Sequence, residues 1–432
     1  MKKSIRIILL LLVLSAQIVF INDHSVQVSS LDQEQYELIN LKDSINATSS
    51  TDFFNESKHP RYPLVNRPFG MIQYPNKANP VIVSFGDSFE IIVNSSVETE
   101  EWILILTNGT FSIDLDIQNT VFEEDFWYLS AEPSLQIEGL YDLQLNCSEG
   151  DDYQTHAVKI VEGKTYPITF VQVSDLHFPT YIGTGINTTE VNLLLFEEIR
   201  NLNPDFILCT GDLTQGPQWW FLNPETGRPM SGESQLRLGL WALDLLNLPV
   251  FYIHGNHEFS QTSLVPDNLE DVWYKYLGPI RYQNFTYLDW SFSGFGSSFE
   301  GLSQKEMDAF NSMVEKECNN ANVFYYHSNF AKQSASVISK YPIEVAISGH
   351  SHDRGIYFSG ETLYVDAGAL MYGDYSVYSI EDETTINVNG DSYDFDPLIL
   401  YTPERTESYS FLAVILTAFI LLPIFRRKMK KI

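Results

Sequence analysis

Short alternating runs of apolar and polar residues dominate residues 62–162. Good examples are the runs at 89–93 and 111–117, and Asn, Gly, Asp and Pro separate one run from the next. A period of two residues predicts β-strands, and turn residues at this spacing are typical of a β-sandwich. We therefore expect an all-β, immunoglobulin-like or fibronectin-like sandwich over 62–162.

From residue 163 to residue 396, strand-length apolar runs alternate with helical periodicity. Strand-type runs occur at 168–173, 205–210, 249–253, 323–326 and 344–347, and helical spacing occurs at 190–202, 236–246, 303–318 and 330–341. This alternation is typical of a layered α/β domain, whose strand-following loops gather ligand-binding residues at one edge of the sheet. The sequence predicts such a domain over 163–396.

Two apolar stretches lie near the ends of the chain. Residues 1–24 begin with basic residues and continue with an apolar centre, which predicts a signal peptide or, because the cleavage pattern is poor, an N-terminal anchor. Residues 409–425 carry no charge, would span roughly 26 Å as a helix and precede the basic tail 426–432. We expect a transmembrane helix, with a buried core helix as the alternative. The positive tail then lies in the cytoplasm and the body is extracellular or lumenal.

The composition of the 432-residue chain limits its partners. The formal net charge is −30, and eight of the 26 basic residues lie in the two end segments. Because such an acidic body repels phosphate backbones, we expect no nucleic-acid partner. Residues 25–61 and 397–408 lack sustained periodicity and are predicted to be a linker and a stalk. Seven Asn-x-Ser/Thr sequons suit a glycoprotein, and three cysteines are too few for a disulfide framework, although a Cys147–Cys318 bridge stays open.

Metal-ligating residue types follow five of the strand-type runs. In chain order the sequence reads Asp175-Leu176-His177, Gly211-Asp212, Gly255-Asn256-His257-Glu258, His327 and Gly349-His350-Ser351-His352. Loops after strands meet at one edge of a sheet, so these side chains are expected to lie together. Imidazole nitrogens combined with carboxylate and amide oxygens suit borderline divalent metals such as manganese, zinc or iron. The pattern therefore predicts a metal centre.

The ordered motifs D-x-H, G-D, G-N-H-E, H and G-H-x-H resemble those of the calcineurin-like metallophosphoesterase superfamily over residues 166–366. The resemblance implies two β-sheets flanked by helices and a centre of two divalent metal ions. It implies that one ion is bound by Asp175, His177, Asp212 and His352, and the other by Asp212, Asn256, His327 and His350. Asp212 would bridge the two ions, which otherwise repel each other.

The same resemblance implies hydrolysis of a phosphoester by in-line attack of a hydroxide that bridges the metals. His257 would act as general acid or stabilise charge in the transition state. Glu258 and His254 would orient neighbouring groups, with simple packing as the alternative for His254. The chain lacks the tyrosine after Asp212 that purple acid phosphatases use, so no iron–tyrosinate centre is expected. It also lacks the proline that follows the family's equivalent of His327.

Two aromatic segments are predicted insertions near the pocket. Trp219 and Trp220 are candidates for a loop that contacts substrate, with packing as the alternative, and residues 282–299 have a similar composition. The sequence as a whole predicts a membrane-anchored, outward-facing metal-dependent phosphoesterase for phosphodiesters or other small organic phosphates. A phosphomonoesterase, a protein phosphatase and a catalytically silent receptor or adhesion module that keeps the fold are the alternatives. Protein partners and the identity of the metals are not predicted.

Overall fold

The computed structural model describes most of the chain between residues 64 and 394. The described residues are 64, 68–182, 186–216, 218–223, 225–259, 269–296, 302–317, 321–328 and 332–394. The chain divides into two compact units, Met1–Lys58 and His59–Ile432, and every described residue lies in the second. The predicted N-terminal segment, linker, stalk, transmembrane helix and tail lie outside the described residues. Within the described residues, no helix is long and apolar enough to cross a membrane.

The N-terminal part of the described chain contains eight strands. They are β1 (Ile72–Tyr74), β2 (Val81–Ser84), β3 (Phe89–Val93), β4 (Ile103–Thr107), β5 (Ser112–Glu123), β6 (Phe126–Pro133), β7 (Gly139–Cys147) and β8 (Gly150–Val161). They are linked in the order β1-β3-β6-β5-β4-β7-β8-β2 and enclose fully buried side chains such as Ile91, Leu106 and Leu143. These strands lie within the range for which alternation predicts β structure. The immunoglobulin-like or fibronectin-like class stays a prediction.

Sixteen more strands and six helices follow in the described residues. The strands are β9 (Ile168–Val173), β10 (Tyr181–Ile182), β11 (Ile186–Asn187), β12 (Phe206–Cys209), β13 (Gln218–Leu222), β14 (Pro229–Met230), β15 (Val250–Tyr252), β16 (Tyr282–Tyr287), β17 (Trp290–Phe295), β18 (Ala321–Tyr326), β19 (Val345–Ser348), β20 (Arg354–Ser359), β21 (Thr362–Ala367), β22 (Ser376–Ile380), β23 (Thr385–Val388) and β24 (Asp391–Asp394). The helices are α1 (Thr188–Asn201), α2 (Gly232–Asp244), α3 (Asn256–Phe259), α4 (Leu269–Leu277), α5 (Gln304–Glu317) and α6 (Lys332–Lys340).

Two six-stranded sheets form the centre of this second part. Their strand orders are β15-β12-β9-β22-β23-β24 and β16-β17-β18-β19-β21-β20. Strands β9, β12 and β15 run parallel to one another, as do β17, β18, β19 and β21. Side chains of α1, α2 and α4 pack on the outer face of the first sheet, and those of α5 and α6 pack on the second. The predicted α/β fold with sheets and helices is confirmed.

Strand β9 shows how both faces of a sheet become buried. Phe170 packs between the two sheets, whereas Val171 packs toward the helices, because successive side chains point to opposite faces. Gln172 also lies between the sheets, and its amide donates to the carbonyl of Ser348 at 2.6 Å and to Thr210 Oγ1 at 3.1 Å. These bonds tie the ends of β9, β12 and β19 together, which fixes the edge where the predicted ligands lie.

The prediction that residues 282–299 form an insertion is wrong. Most of the segment forms β16 and β17, and β17 pairs in parallel with β18 in the second sheet. Trp290 and Phe292 are fully buried between the sheets. The Gly and Ser content suggests a loop, but a Cβ on Gly294 would come within 2.3 Å of the Tyr325 ring. A small residue is therefore needed here inside a strand, where a bulky neighbour occupies the space.

Cysteine pairing plays no part in the described structure. Cys147 and Cys209 are buried free thiols, and the burial of Cys209 in β12 agrees with its apolar sequence context. Cys318 lies outside the described residues.

An ion pair between a buried arginine and a partly exposed glutamate joins the second sheet to its covering helix. Arg281 is 7% exposed and makes two bonds to the Glu306 carboxylate, from Nε at 3.0 Å and from Nη2 at 2.8 Å. Its guanidinium also lies 5.0 Å from the ring centre of Phe259, the last residue of α3. Burial opposes ionisation of Glu306, but bonds from Arg281 and Ser303 outweigh it and lower the pKa to about 2. The carboxylate therefore supports the fold in its ionised form.

Replacing Glu306 with glutamine should lower the free energy of unfolding at pH 7 by about 1–3 kcal/mol, because Arg281 loses a charged partner. The loss is limited because Glu306 is partly exposed and solvent screens the pair. The folded-state pKa is depressed, so this stabilisation is complete above the ordinary carboxyl pKa near 4.5 and is lost as pH falls toward 2. Urea unfolding of both proteins between pH 7 and pH 2 checks the expected convergence at low pH. The exposed Lys340–Glu315 pair provides the control Glu315→Gln, for which a comparable loss would contradict the prediction.

Candidate metal centre

The predicted ligands stand at the carboxyl ends of five strands. Asp175 and His177 follow β9, Asp212 follows β12, Asn256 follows β15, His327 follows β18, and His350 and His352 follow β19. Because β9, β12 and β15 are parallel neighbours in one sheet, and β18 and β19 in the other, their ends meet at the same edge. The structure thus brings all seven residues to one site.

Five of these residues hold a left-handed backbone conformation. The φ angle lies between 49° and 72° at Asp175, His177, Asp212, His350 and His352. Such angles are uncommon for residues with a side chain and cost about 1 kcal/mol or more each. Five strained residues within one cluster indicate that the loops are shaped to aim these side chains rather than to relax the chain.

Two motif glycines are required by close approach. A Cβ on Gly255 would lie 2.2 Å from Asp212 Oδ1, and a Cβ on Gly349 would lie 1.8 Å from Ser174 Oγ. Any side chain at either position would push Asp212 or Asp175 out of place. The glycines of G-N-H-E and G-H-x-H therefore allow neighbouring loops to pack against each other.

One group of donor atoms gathers around Asp175. Its Oδ1 lies 3.0 Å from His352 Nε2 and 3.6 Å from His177 Nε2, and the two imidazole nitrogens are 3.3 Å apart. Asp175 is fully buried, while the side chain of His352 is 33% exposed. This group is therefore closed on the protein side and open toward solvent at His352.

A second group gathers around Asp212. His327 Nε2 lies 3.2 Å from Asp212 Oδ2 and 3.0 Å from Asn256 Oδ1, and a nitrogen of His350 lies within 4.8 Å of the donor atoms of Asp212 and His327. Asp212 Oδ2 is also 3.9 Å from His177 Nε2 in the first group. Asp212 thus stands between the two groups, the position that the resemblance implies for a bridging ligand.

Backbone carbonyls orient the imidazoles. The Nδ1 atom of His327 lies 2.8 Å from the carbonyl of Thr210, and that of His177 lies 3.3 Å from the carbonyl of Thr214. A carbonyl only accepts hydrogen bonds, so each Nδ1 carries the proton it donates. Nε2 is then the atom that faces the centre, as metal-binding histidines require.

The acidic and basic groups of the centre shift one another's pKa. Burial alone would raise the pKa of Asp175, but interactions with His177 and His352 outweigh it and hold this pKa well below its usual range. Burial would also raise the pKa of Asp212, but the charge of His327 and its hydrogen bond outweigh burial and lower this pKa to about 2. Despite its burial, His327 has its pKa raised to about 10 by these carboxylates. The centre therefore holds two anionic carboxylates that attract positive charge.

The donor atoms fit divalent metal ions. Asp175 Oδ1 is buried and has no hydrogen bond of good geometry, although imidazole nitrogens surround it. At His327, Nε2 faces oxygens of Asp212 and Asn256; the raised pKa keeps a proton on this nitrogen, and a divalent ion bound by all three atoms would take the place of that proton. Mixed nitrogen and oxygen donors are those that manganese, zinc and ferrous iron accept.

Glu258 holds together the loops that carry the ligands. Its carboxylate accepts from the backbone N–H of Asp212 at 3.0 Å, of Thr214 at 2.8 Å and of Gly255 at 2.7 Å. The Thr214 hydroxyl donates a fourth bond at 3.1 Å. Burial, together with the charge of Asp212, raises the pKa of Glu258 to about 7. These bonds join Glu258 to the loops that carry Asp212 and Asn256, which suits the orienting role expected of it.

His257 lies beside Asp212 with its ring partly open to solvent. Its backbone N–H donates to Asp212 Oδ1 at 2.8 Å, its Nε2 is 3.9 Å from Asp212 Oδ2, and its side chain is 30% exposed. Nδ1 is 3.0 Å from the carbonyl of Gln215, which leaves Nε2 facing the centre. Burial lowers the pKa of His257, and the charge of Asp212 opposes this effect. The residue is placed to reach a molecule bound at the centre.

Gln235 holds the turn that orients His257, although no motif marks it. This fully buried residue of α2 accepts from the N–H groups of Gln215 at 3.1 Å and Gly216 at 2.8 Å, and it donates to the Gly216 carbonyl. A glutamine in an amphipathic helix normally faces solvent, so the sequence gives no signal for this role. The structure alone connects Gln235 through the Gln215 carbonyl to His257.

For the phosphoester hydrolysis that the resemblance implies, replacing Gln235 with leucine should lower kcat roughly tenfold, in line with losses of groups that support a metal site. The effect is expected for phosphoesters with poor leaving groups, because His257 loses its orientation, while the metal content stays at the wild-type level. Steady-state kinetics with alkyl esters, together with metal analysis, checks this result. Gln304→Leu on the exposed face of α5 is the control, and a wild-type kcat in Gln235→Leu would contradict the prediction.

The other predicted site residues lie outside the two groups of donor atoms. His254 is fully buried against Phe259 and Trp273, with ring centres 4.0 and 5.3 Å away, and its Nδ1 is 3.2 Å from the carbonyl of Gly255. It contacts backbone beside Asn256 rather than a ligand side chain. Trp219 and Trp220 belong to β13, which pairs with β14, so the expected loop is a hairpin.

Comparison with known proteins gives one family and several similar folds. A family model for calcineurin-like phosphoesterases matches residues 168–354. A dimetal phosphatase from Danio rerio is 12% identical, with a TM-score of 0.39 over 54% of this chain and 100% of that chain. A putative 5′-nucleotidase from Staphylococcus aureus is 16% identical, with a TM-score of 0.33 over 56% of this chain and 57% of that chain. GAP50, the anchor in the inner membrane complex of Plasmodium, is 12% identical, with a TM-score of 0.35 over 58% of this chain and 95% of that chain.

No curated protein matches the chain. The family match begins at the first residue of β9 and ends at the first residue of β20, so it includes every predicted ligand and His257. Residues 168–354 are therefore a calcineurin-like phosphoesterase domain, the family that the ordered motifs resemble.

Proposed function

We propose that the protein is a metal-dependent phosphoester hydrolase that acts on phosphodiesters or other small organic phosphates. The observation that carries the proposal is the position of Asp212 between two groups of donor atoms, within reach of His177 in one and His327 in the other. A structural histidine cluster would not need two such groups around a shared carboxylate. The family of residues 168–354 supports a phosphoester as the substrate.

The residues of the chain have separate tasks in this reaction. Asp175, His177 and His352 would hold one divalent ion; Asn256, His327 and His350 would hold the other, and Asp212 would contact both. When bound, such ions act as Lewis acids on phosphoryl oxygens and supply a water of lowered pKa. His257 is partly exposed beside Asp212; as an imidazolium, with Nδ1 donating to the Gln215 carbonyl, it gives its Nε2 proton to the leaving oxygen and becomes neutral. Glu258 keeps the loops of Asp212 and Asn256 in register.

Charge supports a small substrate. With a formal charge of −30, the protein repels long polyanions, whereas a single phosphoester is attracted locally by the ions. The ligand set is the same for diesters and monoesters, so the choice of a diester rests on loops around the centre.

The proposal also places the enzyme on a membrane, with the catalytic domain extracellular or lumenal. Its support is the uncharged stretch 409–425 followed by the basic tail 426–432, together with the apolar N-terminal segment. The sequons of the body are in keeping with a glycoprotein on that side.

The test uses purified full-length protein, stripped of metal and resupplied with manganese, zinc or iron. Hydrolysis of bis-(4-nitrophenyl) phosphate and of 4-nitrophenyl phosphate is then compared under each condition. We expect activity that depends on added metal, with the diester preferred. Inactivity with every metal, in protein shown by circular dichroism to be folded, would favour a silent binding module that keeps the fold.

A further inference from the structure

A short 3₁₀ turn, Leu370–Tyr372, is fixed directly to the metal-binding loop. It follows β21, which runs parallel to β19 and so ends at the same edge as the predicted ligands. The N–H of Leu370 donates to the carbonyl of Ser174 at 2.8 Å, and that of Met371 lies 3.4 Å from the carbonyl of Asp175. Leu370 and Met371 are buried. The turn therefore has a set position relative to the centre.

Tyr372 projects from this turn into solvent beside a predicted ligand. Its side chain is 55% exposed, and its ring centre lies 5.9 Å from that of His352, with the planes at 67°. Among the described aromatic residues, Phe111, Tyr357 and Phe358 are about equally exposed. Phe111 lies in the turn between β4 and β5 of the N-terminal part, and Tyr357 and Phe358 lie on β20, which runs away from the site edge. Tyr372 thus differs from them in standing on the open side of the metal centre.

We propose that Tyr372 is a specificity-determining residue, whose ring stacks on a planar aromatic group of the substrate. The preferred substrates are then aryl or nucleoside phosphoesters rather than alkyl ones, a refinement that rests on the proposed hydrolase function. Stacking of a planar ring on an aromatic side chain strengthens binding by roughly tenfold, which corresponds to about 1.4 kcal/mol. The formal charge of −30 repels long polyanions, which favours small molecules over nucleic acids as such substrates.

A simpler role for Tyr372 is to support the His352 ring. That role would affect every phosphorus ligand equally, whereas stacking affects only ligands that carry a ring. Phenylphosphonate and methylphosphonate separate the two roles, since both resist hydrolysis and differ only in the ring. Binding can therefore be measured on metal-loaded, full-length protein without turnover.

Titration calorimetry with manganese-loaded protein tests the proposal. We expect wild type to bind phenylphosphonate roughly tenfold more tightly than methylphosphonate. Tyr372→Ala should abolish this preference by weakening phenylphosphonate alone, and Tyr372→Phe should retain it. The matched control is Tyr357→Ala, which removes an equally exposed tyrosine from β20 and should also retain it.

Equal affinities in wild type, or an equal loss of both ligands in Tyr372→Ala, would overturn the stacking role. Failure of the hydrolase function itself would show separately, as absence of metal-dependent hydrolysis of bis-(4-nitrophenyl) phosphate by wild type. If the protein hydrolyses this diester but binds the two phosphonates with equal affinity, the proposed hydrolase function stands and the stacking role of Tyr372 is contradicted.

Discussion

Replacing Asp212 with asparagine should lower metal-dependent hydrolysis by about a thousandfold or more. The change removes one negative charge from the residue that stands between His177 and His327. Two ions held on either side of this carboxylate would then repel each other with less compensation. A loss of several kcal/mol of metal-assisted stabilisation corresponds to about three orders of magnitude in rate.

Two measurements together check the Asp212 result. The first is kcat/KM for bis-(4-nitrophenyl) phosphate at saturating manganese, and the second is the metal content after dialysis, which should fall below that of wild type. Asp308→Asn makes the same chemical change on the exposed face of α5 and should leave both quantities unchanged. Normal activity and full metal content in Asp212→Asn would contradict the proposal that Asp212 contacts both metal ions.

Replacing His257 with asparagine should have the second largest effect, and the size of that effect should depend on the leaving group. Loss of a general acid typically costs about 10²- to 10⁴-fold in rate. Esters whose leaving alcohol needs a proton should show this loss, since Nε2 of His257 faces the centre while Nδ1 bonds to Gln215. Esters of 4-nitrophenol, whose anion leaves unaided, should lose far less.

A series of aryl and alkyl esters with leaving groups of increasing pKa measures this dependence. The slope of log kcat against leaving-group pKa should be steeper for His257→Asn than for wild type. His156→Asn changes a histidine of β8 outside the site and should leave the slope unaltered. Parallel slopes for wild type and His257→Asn would mean that His257 only binds or positions the substrate.

Sequence reasoning located the ligand-bearing loops because two independent signals coincide there. Strand β9 is read from its apolar run, and the D-x-H motif follows it; the same holds for β19 and G-H-x-H. Within each sheet, parallel strands end at one edge, so local periodicity is enough to group Asp175 with Asp212 in the first sheet and His327 with His352 in the second. The contact of 3.0 Å between Asp175 and His352 joins the two sheets, so it depends on how the sheets pack face to face, which strand order alone does not give.

Other features depend on contacts that local patterns do not contain. β17 pairs with β18, although α5 separates the two strands in sequence. Because the Gly and Ser content of residues 290–295 is typical of a loop, the sequence does not identify this segment as a central strand. Gln235 and Tyr372 carry no motif and gain their places only when α2 and the turn after β21 pack near the centre. Periodicity reports which face is buried, not which buried polar group meets a distant loop.

Because five predicted ligands have a left-handed backbone conformation, metal binding at the centre should affect the stability of the folded protein. Each strained residue, Asp175 among them, adds to the free energy of the native protein whether or not a cation is present. Binding to the native state alone offsets this through mass action, so stability rises with the logarithm of metal concentration. Under the proposed function, metal scarcity would then have two effects: it would halt turnover, and it would shorten the lifetime of the folded molecule.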